Sequence, residues 1–346
     1  MARKIQLIAG PCSAESRDQV LDTASALSAM GVDYFRAGLW KPRTRPGCFE
    51  GFGYEGLVWL AEARERFGLK IATEVACAAH VEACLKSDVD AMWLGARTTV
   101  NPFMAEEIAS ALAGTDKYII VKNPVNQDVS LWRGCIERLM SRGISNIGIV
   151  HRGFSSFGDK KYRNDPQWHA AIEVRSAFPE LPFICDPSHM GGDSRFVPEI
   201  SQKAMDLGYD GLMVEVHTDP EHALSDTHQQ ITPAGFERLV SGLRVREKYS
   251  EDEVYNNAIE RLREEIDGID RDIVSALARR MEISREIGRQ KNENNVSIIQ
   301  PSRWDEVIGR VYETGDEKGL SREFLSRVFN AIHEASVSEQ NKINIK

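Results

Sequence analysis

Four residues carry side chains that bind divalent metal ions. They offer a thiol, an imidazole and two carboxylates: Cys12, His189, Glu215 and Asp226. This mixture of soft and hard donors is accepted by several divalent ions, so the residue types suggest a metal site without choosing the metal. Because the four residues lie far apart in the chain, an alternative stays open in which Cys12 is a small buried hydrophobe and His189 is structural. Three further histidines lie close by and are competing ligands or surface residues: His217, His222 and His228.

A second group of residues carries positive charge. The chain as a whole is acidic, with 43 Lys and Arg against 52 Asp and Glu and a formal net charge of −9. Basic residues nevertheless follow at least four consecutive apolar segments: Arg36, Lys41, Arg43, Arg97, Lys122 and Arg152. If these segments are parallel strands that end at one mouth, the charges converge and suit a multiply anionic ligand such as a phosphorylated acid. For any single residue, a solvated ion pair is the alternative. The carboxylates Glu74 and Asp186 follow two other segments.

The elements that would position these residues are eight short, β-rich apolar segments. They are Ile5–Gly10, Tyr34–Gly38, Lys70–Val75, Ala91–Ala96, Tyr118–Asn123, Asn146–Gly153, Phe183–His189 and Gly211–His217. Helix-patterned segments such as 55–67 and 131–142 separate them. Strand and helix alternate about every 30 residues over about 250 residues, which predicts an α/β fold of the (β/α)8 TIM-barrel type. A doubly wound open sheet is the alternative, although no glycine-rich nucleotide-binding motif supports it.

The composition changes near residue 250. The first 250 residues hold all six cysteines, 12 of the 13 prolines and 21 of the 26 glycines. A charged stretch at 244–256 is poor in large aliphatic residues and suits an exposed linker. We therefore predict a barrel domain over 1–245, a linker over 246–256 and a helical domain over 257–346.

The C-terminal part has the pattern of an all-α domain. Aliphatic residues recur mostly at three- and four-residue steps through 254–293: Leu262, Ile266, Ile269, Ile273, Leu277 and Ile287. This pattern predicts one amphipathic helix of roughly 60 Å, which is longer than a domain of this size can shield. Pro301 is placed to start a second helix and Ser321 to cap a third. We expect a three-helix protomer that associates with a second copy, as a homo-oligomer that is at least a dimer.

Composition also limits where the protein works. No apolar segment approaches the roughly 20 residues that span a bilayer, and the acidic balance argues against nucleic-acid binding. The six cysteines show no dense pairing pattern, so we expect free thiols in a reducing, cytoplasmic environment.

Several spaced motifs in the first 250 residues closely resemble 3-deoxy-D-arabino-heptulosonate 7-phosphate (DAHP) synthase of the I-beta class. They are AGPCS (9–13), FRAG and KPRT (35–44), GART (95–98), VKNP (121–124), HRG (151–153), DPSH (186–189) and MVEVH with LSD (213–226). The KPRT segment resembles the enzymes that use erythrose 4-phosphate rather than the related 3-deoxy-D-manno-octulosonate 8-phosphate synthases.

The resemblance implies a metal-dependent condensation of phosphoenolpyruvate with D-erythrose 4-phosphate. It implies that Cys12, His189, Glu215 and Asp226 bind a divalent metal, with Mn²⁺ the first expectation. It assigns Arg97, Lys122 and Arg152 to the phosphoenolpyruvate phosphate, Arg36 and Lys41 to its carboxylate, and Arg43 and Thr44 to the aldose phosphate. Lys41, Lys122 and His189 are further expected to be catalytic and Asp186 to bind substrate. Glu74 is expected to orient the attacking water, with a structural ion pair to an arginine as the alternative.

The second domain resembles the all-helical chorismate mutases, which convert chorismate to prephenate. The segments that carry this resemblance are LREEIDGID (262–270), ALARRMEISREIGRQK (276–291), PSR (301–303) and HEASVSEQ (333–340). It implies that Arg263, Arg280 and Arg303 bind carboxylates, that Lys291 and Gln340 donate to the ether oxygen, and that Ser336 assists. At about 100° per residue Arg280 and Lys291 share a helix face, whereas Arg263 lies about 100° away and would reach a partner's site.

Two positions depart from the mutase pattern, since Trp304 and Gln300 stand where the family usually has acidic residues. Because the first strand is predicted to begin at Ile5, we do not expect the N-terminal regulatory domain that some relatives carry. This expectation motivates an alternative function, in which the helical domain mainly senses prephenate or chorismate, mediates dimerisation and has weak mutase activity. In that case prephenate is an allosteric inhibitor of the barrel.

Overall fold

The computed structural model describes residues 3–41, 47–158, 160–247 and 249–344. The chain divides into two compact units, Met1–Lys248 and Tyr249–Lys346. All six cysteines are free thiols. Within the described ranges, no helix is long and apolar enough to cross a membrane.

The first unit is a closed barrel of eight parallel strands. The strands are β1 (Gln6–Gly10), β2 (Tyr34–Arg36), β3 (Ile71–Val75), β4 (Ala91–Leu94), β5 (Tyr118–Lys122), β6 (Ile147–His151), β7 (Phe183–Cys185) and β8 (Gly211–Glu215). Each strand pairs with its neighbours in sequence, and β8 closes the barrel against β1 with Gly10 opposite Glu215. The prediction of an eight-stranded barrel is confirmed, and the open-sheet alternative is wrong.

In the part of this unit that the structure describes, ten α-helices accompany the strands. They are α1 (Arg17–Ser28), α2 (Tyr54–Phe67), α3 (Ala78–Lys86), α4 (Ala96–Thr99), α5 (Pro102–Leu112), α6 (Val129–Ser141), α7 (Trp168–Ala177), α8 (Pro187–Gly191), α9 (Val197–Asp206) and α10 (Pro233–Gly242). Side-chain oxygens cap several of their N-termini, where backbone N–H groups lack intrahelical partners. Asp128, for example, accepts from Leu131 N at 2.9 Å at the start of α6.

The strands separate two apolar layers because successive side chains point to opposite faces. In β4, Ala91 and Trp93 belong to the cluster inside the barrel, whereas Met92 and Leu94 pack against the surrounding helices. The inner cluster is small and consists of Ile8, Ala72, Ala91, Trp93, Tyr118, Ile120, Val150, Ile184 and Met213. The larger layer between strands and helices supplies most of the apolar burial that stabilises the unit.

The second unit contains three helices, α11 (Glu253–Glu293), α12 (Pro301–Glu317) and α13 (Arg322–Asn344). The predicted long helix and the two predicted helix starts are confirmed, and Ser321 Oγ accepts from Phe324 N at 3.2 Å. The C-terminal half of α11 packs closely on α13: a Cβ atom at Gly288 would lie 3.0 Å from Gln340 Cα. Side chains in the N-terminal half of α11 remain largely exposed in the protomer.

His151 gives the barrel a pH dependence. Its side chain is fully buried in β6, with Nδ1 2.9 Å from Tyr209 Oη and the ring against Trp168. Burial lowers the pKa of this imidazole from 6.5 to about 3, and the nearby Arg152 adds to the effect. Below about pH 6.5 the unfolded chain therefore binds a proton that the folded chain rejects, so acidification destabilises the fold.

We predict that His151→Gln makes the unfolding free energy of the barrel less sensitive to acid. In the wild type, this imidazole should lower the unfolding free energy by about 1.4 kcal/mol for each pH unit between about pH 6.5 and pH 3. The variant has no imidazole at this position and should not show this loss. Urea unfolding followed by circular dichroism between pH 7 and pH 4.5 measures the slope. His222→Gln, at an exposed site, is the control and should keep it. Equal slopes in wild type and His151→Gln would contradict the prediction.

Candidate active site

The predicted metal donors meet at the carboxyl ends of the strands. Cys12 follows β1 and Glu215 ends the adjacent β8, so closure of the barrel brings these distant residues together. Ligand atoms of Cys12, Glu215 and Asp226 all lie within 4.8 Å of one another. His189 Nε2 is 3.6 Å from Glu215 Oε1, and Cys12 Sγ is 3.2 Å from Asp226 Oδ2. Three of the four predicted donors, Cys12, Glu215 and Asp226, thus form one cluster, and His189 lies next to it, against Glu215.

Electrostatics favour a cation at this point. Burial, with Glu215 and Asp226 nearby, raises the pKa of the Cys12 thiol above its usual range, although Lys41 Nζ lies 2.7 Å from Sγ. Burial alone would also raise the pKa of Glu215, but the charges of His189 and Arg36 hold it below its ordinary value. A divalent ion would compensate the two carboxylates and deprotonate the thiol, so the donor set fits such an ion.

A second layer of polar residues holds the donors in place. Gln229 Nε2 donates to Glu215 Oε2 at 2.7 Å, Arg163 Nη1 donates to Asp226 Oδ1 at 3.1 Å, and Gln230 Oε1 accepts from Cys12 N at 2.9 Å. Such partners orient ligands and adjust their basicity. These three residues were not predicted from the sequence, because a surface arginine and a Gln-Gln pair have no motif or spacing that marks them.

Asp186 links the donor group to the cations. It is fully buried, caps α8 by accepting from His189 N at 3.0 Å, and lies 2.8 Å from both His189 Nδ1 and Lys122 Nζ. Burial opposes its ionisation, but His189 and Lys122 hold its pKa well below the ordinary value. Burial also lowers the pKa of Lys122, and Asp186 counteracts this. Since these contacts occupy its carboxylate, Asp186 positions other groups in this structure.

Arg36 is a cation with unused hydrogen-bonding capacity. Its side chain is 2% exposed, and Nη2 donates to Glu215 Oε1 at 3.1 Å. Its Nε and Nη1 atoms are buried without a hydrogen-bond partner among the described residues. Buried donors are costly when unpaired, so these two atoms suit an incoming anion.

Further arginines surround the cations. Arg152 Nη1 donates to Asn164 Oδ1 at 2.7 Å. The pKa of Arg152 is lowered to about 10, mainly by burial; the charge of Asp186 opposes this shift, and the charges of Arg163 and Arg97 contribute to it. Arg97 itself lies exposed in α4, three residues beyond the end of β4. Among the described residues, the charge of Arg36 acts on Lys122, those of Arg97 and Arg163 act on Arg152, and Asp186 acts on both Lys122 and Arg152, so these cations lie near one another.

Glu74 forms a contact that the sequence analysis did not anticipate. Its Oε2 accepts from Trp93 Nε1 at 3.1 Å, and a Cβ atom at Gly95 would lie only 2.1 Å from Oε1. Across the described ranges, no arginine or lysine is within ion-pair distance of Glu74, so the alternative of an arginine ion pair is not realised there. Arg43 and Thr44, predicted to bind the aldose phosphate, lie outside the described residues.

In the helical unit, α11 and α13 bring part of the predicted site together. Arg280 Nη1 hydrogen-bonds Ser336 Oγ, and burial lowers the pKa of Arg280. Gln340 lies one turn beyond Ser336 and has a buried Oε1 atom without a partner among the described residues. Lys291 Nζ donates to Ile298 O at 2.6 Å.

Two predicted arginines of the helical unit stay apart from this group. Arg263 pairs with Glu260 at 3.4 Å and Arg303 with Glu306 at 2.8 Å, and all four side chains are exposed. Arg263 lies 17 positions before Arg280 on one helix, which corresponds to about 25 Å. A single copy of the unit therefore does not assemble all the predicted arginines.

The fold and the site define a β/α-barrel enzyme for an anionic substrate, followed by an all-helical unit. The chain belongs to the DAHP synthetase I family, whose family model matches residues 2–249. Residues 262–341 match the model of chorismate mutase type II. Both family resemblances drawn from the sequence motifs are confirmed, and the two matches indicate an enzyme of the shikimate pathway.

Individual relatives agree with the barrel match. The phospho-2-dehydro-3-deoxyheptonate aldolase of Thermotoga maritima is 33% identical over 238 residues, covering 69% of this chain and 68% of that protein. The 2-dehydro-3-deoxyphosphooctonate aldolase of Wolinella succinogenes is 30% identical over 265 residues, covering 68% of this chain and 97% of that protein. A crystal structure of the Thermotoga maritima DAHP synthase matches with a TM-score of 0.61 and 32% identity, covering 68% of this chain and 67% of that chain.

We predict that Cys12→Ala weakens Mn²⁺ binding by at least about 100-fold, because it removes the thiolate ligand from the donor set. Isothermal titration of the metal-stripped full-length protein with MnCl₂ measures the affinity. The control is Cys84→Ala, which truncates another buried thiol away from the site and should leave Mn²⁺ affinity unchanged. Unaltered binding by Cys12→Ala would show that this thiol is not a ligand.

Proposed function

We propose that the barrel condenses phosphoenolpyruvate with D-erythrose 4-phosphate to give DAHP and phosphate. The observation that carries this proposal is the meeting of a thiol, an imidazole and two carboxylates with buried cations at the strand ends. C3 of phosphoenolpyruvate forms a bond to the aldehyde carbon, water adds at C2, and the C–O bond to phosphate breaks.

The cations would hold phosphoenolpyruvate by its two anionic ends. The unpartnered Nε and Nη1 atoms of Arg36 suit the carboxylate, together with Lys41, which contacts Cys12. Lys122, Arg97 and Arg152 suit the phosphate. Guanidinium groups bind such anions through pairs of parallel hydrogen bonds. Fixing both ends orients the enol towards the aldehyde, which supplies much of the rate acceleration for a two-substrate reaction.

The metal donors and Glu74 would act on the other reactants. Cys12, His189, Glu215 and Asp226 would hold a divalent ion, for which we propose Mn²⁺, and when bound it supplies Lewis-acid polarisation of the aldehyde. Lys41, whose pKa is raised by the Cys12 and Glu215 charges against the effect of burial, keeps a positive charge beside this position. Glu74 would orient the water that adds to C2, and Trp93 fixes its carboxylate.

We expect purified full-length protein to consume phosphoenolpyruvate with erythrose 4-phosphate, and to lose this activity on chelation and regain it with Mn²⁺. Loss of the ultraviolet absorbance of the enol follows the reaction. Arabinose 5-phosphate is the matched alternative substrate, because relatives of both sugar specificities resemble the chain. Turnover with the pentose phosphate alone would overturn the substrate assignment, and turnover with neither sugar would overturn the proposed reaction.

For the helical unit we propose rearrangement of chorismate to prephenate. This reaction needs a folded substrate conformer and donors aimed at the breaking ether bond, rather than a nucleophile or base. Arg280, held by Ser336, would bind a carboxylate, and Gln340 and Lys291 would donate to the ether oxygen. Arg303 and Arg263 would supply the remaining positive charge.

The proposed mutase site requires a second copy of the helical unit. The face of α11 that packs on α13 near Ser284 and Gly288 continues through Leu262, Ile269 and Ile273, which are about half exposed. Helix α11 has 41 residues and α13 has 23, so α13 covers only part of this face. A partner lying on the uncovered part would bury it and bring its own Arg263 towards Arg280, which supports a homodimer.

We also propose that the protein works in the cytoplasm, where its free thiols stay reduced. Prephenate remains the proposed inhibitor of the barrel, because it is the product that the helical unit would release.

We predict that Ile269→Asp combined with Ile273→Asp halves the molecular mass of the assembly and lowers mutase activity by about 100-fold or more. Unpaired carboxylates cannot be buried at an apolar interface, so the two copies should separate. Each copy then loses the arginine that its partner would contribute to the mutase site. Sedimentation velocity and chorismate consumption measure the two effects. Arg271→Asp, on the opposite face of α11, should change neither. A double variant that dissociates but keeps full mutase activity would contradict the shared site.

A further inference from the structure

Trp93 is the largest side chain inside the barrel, and it lies among the charged groups of the site. It is 1% exposed and belongs to the inner apolar cluster. Its Nε1 atom donates to Glu74 Oε2 at 3.1 Å. The Arg36 Cζ atom is 4.8 Å and the Lys122 Nζ atom 5.6 Å from the centroid of its ring. One side chain therefore contacts two buried cations and one carboxylate.

The strand register explains this arrangement. Arg36, Glu74, Trp93 and Lys122 come from the four consecutive strands β2, β3, β4 and β5, and Glu74 is opposite Trp93 in the parallel ladder. Trp93 is in turn opposite Ile120, two positions before Lys122 on the same face of β5. The register of the strands, rather than the path of a loop, thus places the indole near both cations.

Arg36 and Lys122 are two positive charges that need stabilisation inside the barrel, and an indole ring can provide it. Both are buried, and the charge of Arg36 disfavours the charged form of Lys122. Additional carboxylates against these cations would stabilise them, but would also compete with an anionic substrate. The face of an indole attracts cations through its quadrupole without carrying a formal negative charge. It can hold both groups in place and leave their charge available to the substrate.

We propose that Trp93 is a positioning residue for phosphoenolpyruvate: its ring face fixes Arg36 and Lys122 for the anion, and its N–H fixes Glu74. This inference rests on the proposed condensation at the barrel site. It assigns two separable tasks to one side chain, one in substrate affinity and one in turnover.

Two substitutions separate these tasks. Trp93→Leu removes both the ring face and the N–H, and should raise the Kd and KM for phosphoenolpyruvate about ten- to thirtyfold. Trp93→Phe keeps an aromatic face but loses the donor, so KM should rise less than about threefold while kcat falls about tenfold. The KM for erythrose 4-phosphate should stay within about twofold in both variants, because none of the charged groups that Trp93 contacts is assigned to the sugar phosphate.

Tyr118→Phe provides the matched control. Tyr118 is another buried aromatic residue of the inner cluster, and its hydroxyl donates to Gln6 at the opposite end of the barrel. This variant should leave kcat and both KM values unchanged. Kinetics with added Mn²⁺ and isothermal titration with phosphoenolpyruvate in the absence of sugar measure the effects, on full-length protein whose folding is checked by circular dichroism.

A double-mutant cycle tests whether Trp93 acts through Glu74. In a Glu74→Gln background, Trp93→Phe should cause little further loss of kcat, because the carboxylate that it orients is already gone. Fully additive losses would overturn this part of the inference. If Trp93→Leu does not fold, this cycle still tests whether Trp93 acts through Glu74.

The remaining outcomes are distinct. If both variants lose kcat in equal proportion while the Kd for phosphoenolpyruvate stays unchanged, Trp93 is only a packing residue and the inference is overturned. Wild-type kinetic parameters in both variants would also overturn it. If the wild-type protein is active, either of these two results leaves the proposed condensation intact. A wild type that neither binds nor consumes phosphoenolpyruvate would overturn the proposed function and this inference with it.

Discussion

Buried charge at one end of the barrel is the constraint on which the site depends. Removing an ion from water costs several kcal/mol unless another charge or a hydrogen bond compensates it. Lys122, Asp186, His189, Glu215 and Arg36 meet this requirement as a chain of ion pairs in which each group contacts the next. Removing one member would leave its neighbours buried and uncompensated. The geometry of any single group is therefore set by the whole chain of contacts.

Closure of the sheet makes this chain of contacts possible. Asp186 follows β7, Glu215 ends β8 and Arg36 ends β2, so the charges occupy the ends of neighbouring strands once β8 pairs with β1. Strand backbones allow little movement, which keeps the unpaired donors of Arg36 fixed at a position where an anion can reach them. The glycine at position 10 is part of the same fit, because a Cβ atom there would lie 2.1 Å from Arg36 O.

The sequence predicted the fold well and the site only partly. Eight apolar segments of alternating strand and helix pattern are enough to predict the barrel, since each strand carries its own local signal. The donors Cys12 and Asp226 could be named from motifs, but their 3.2 Å separation depends on loop paths that no local pattern encodes. Arg163 and Gln229 were missed for the same reason. Trp93 was read only as part of an apolar strand, because its contacts with cations arise from neighbouring strands.

The two units assemble their charged groups in different ways, and this has consequences for how each can be regulated. In the barrel, the described donors and cations converge within one chain because a closed sheet brings all its strand ends together. In the helical unit, Arg263 and Arg280 share one continuous helix and cannot approach each other, whatever the packing of α12 and α13. The proposed mutase site, which needs both arginines, would draw on a second chain, and its affinity for ligand would then be thermodynamically linked to the association of the protomers. A ligand that binds only the assembled site stabilises the assembly by the same free energy with which assembly promotes its binding.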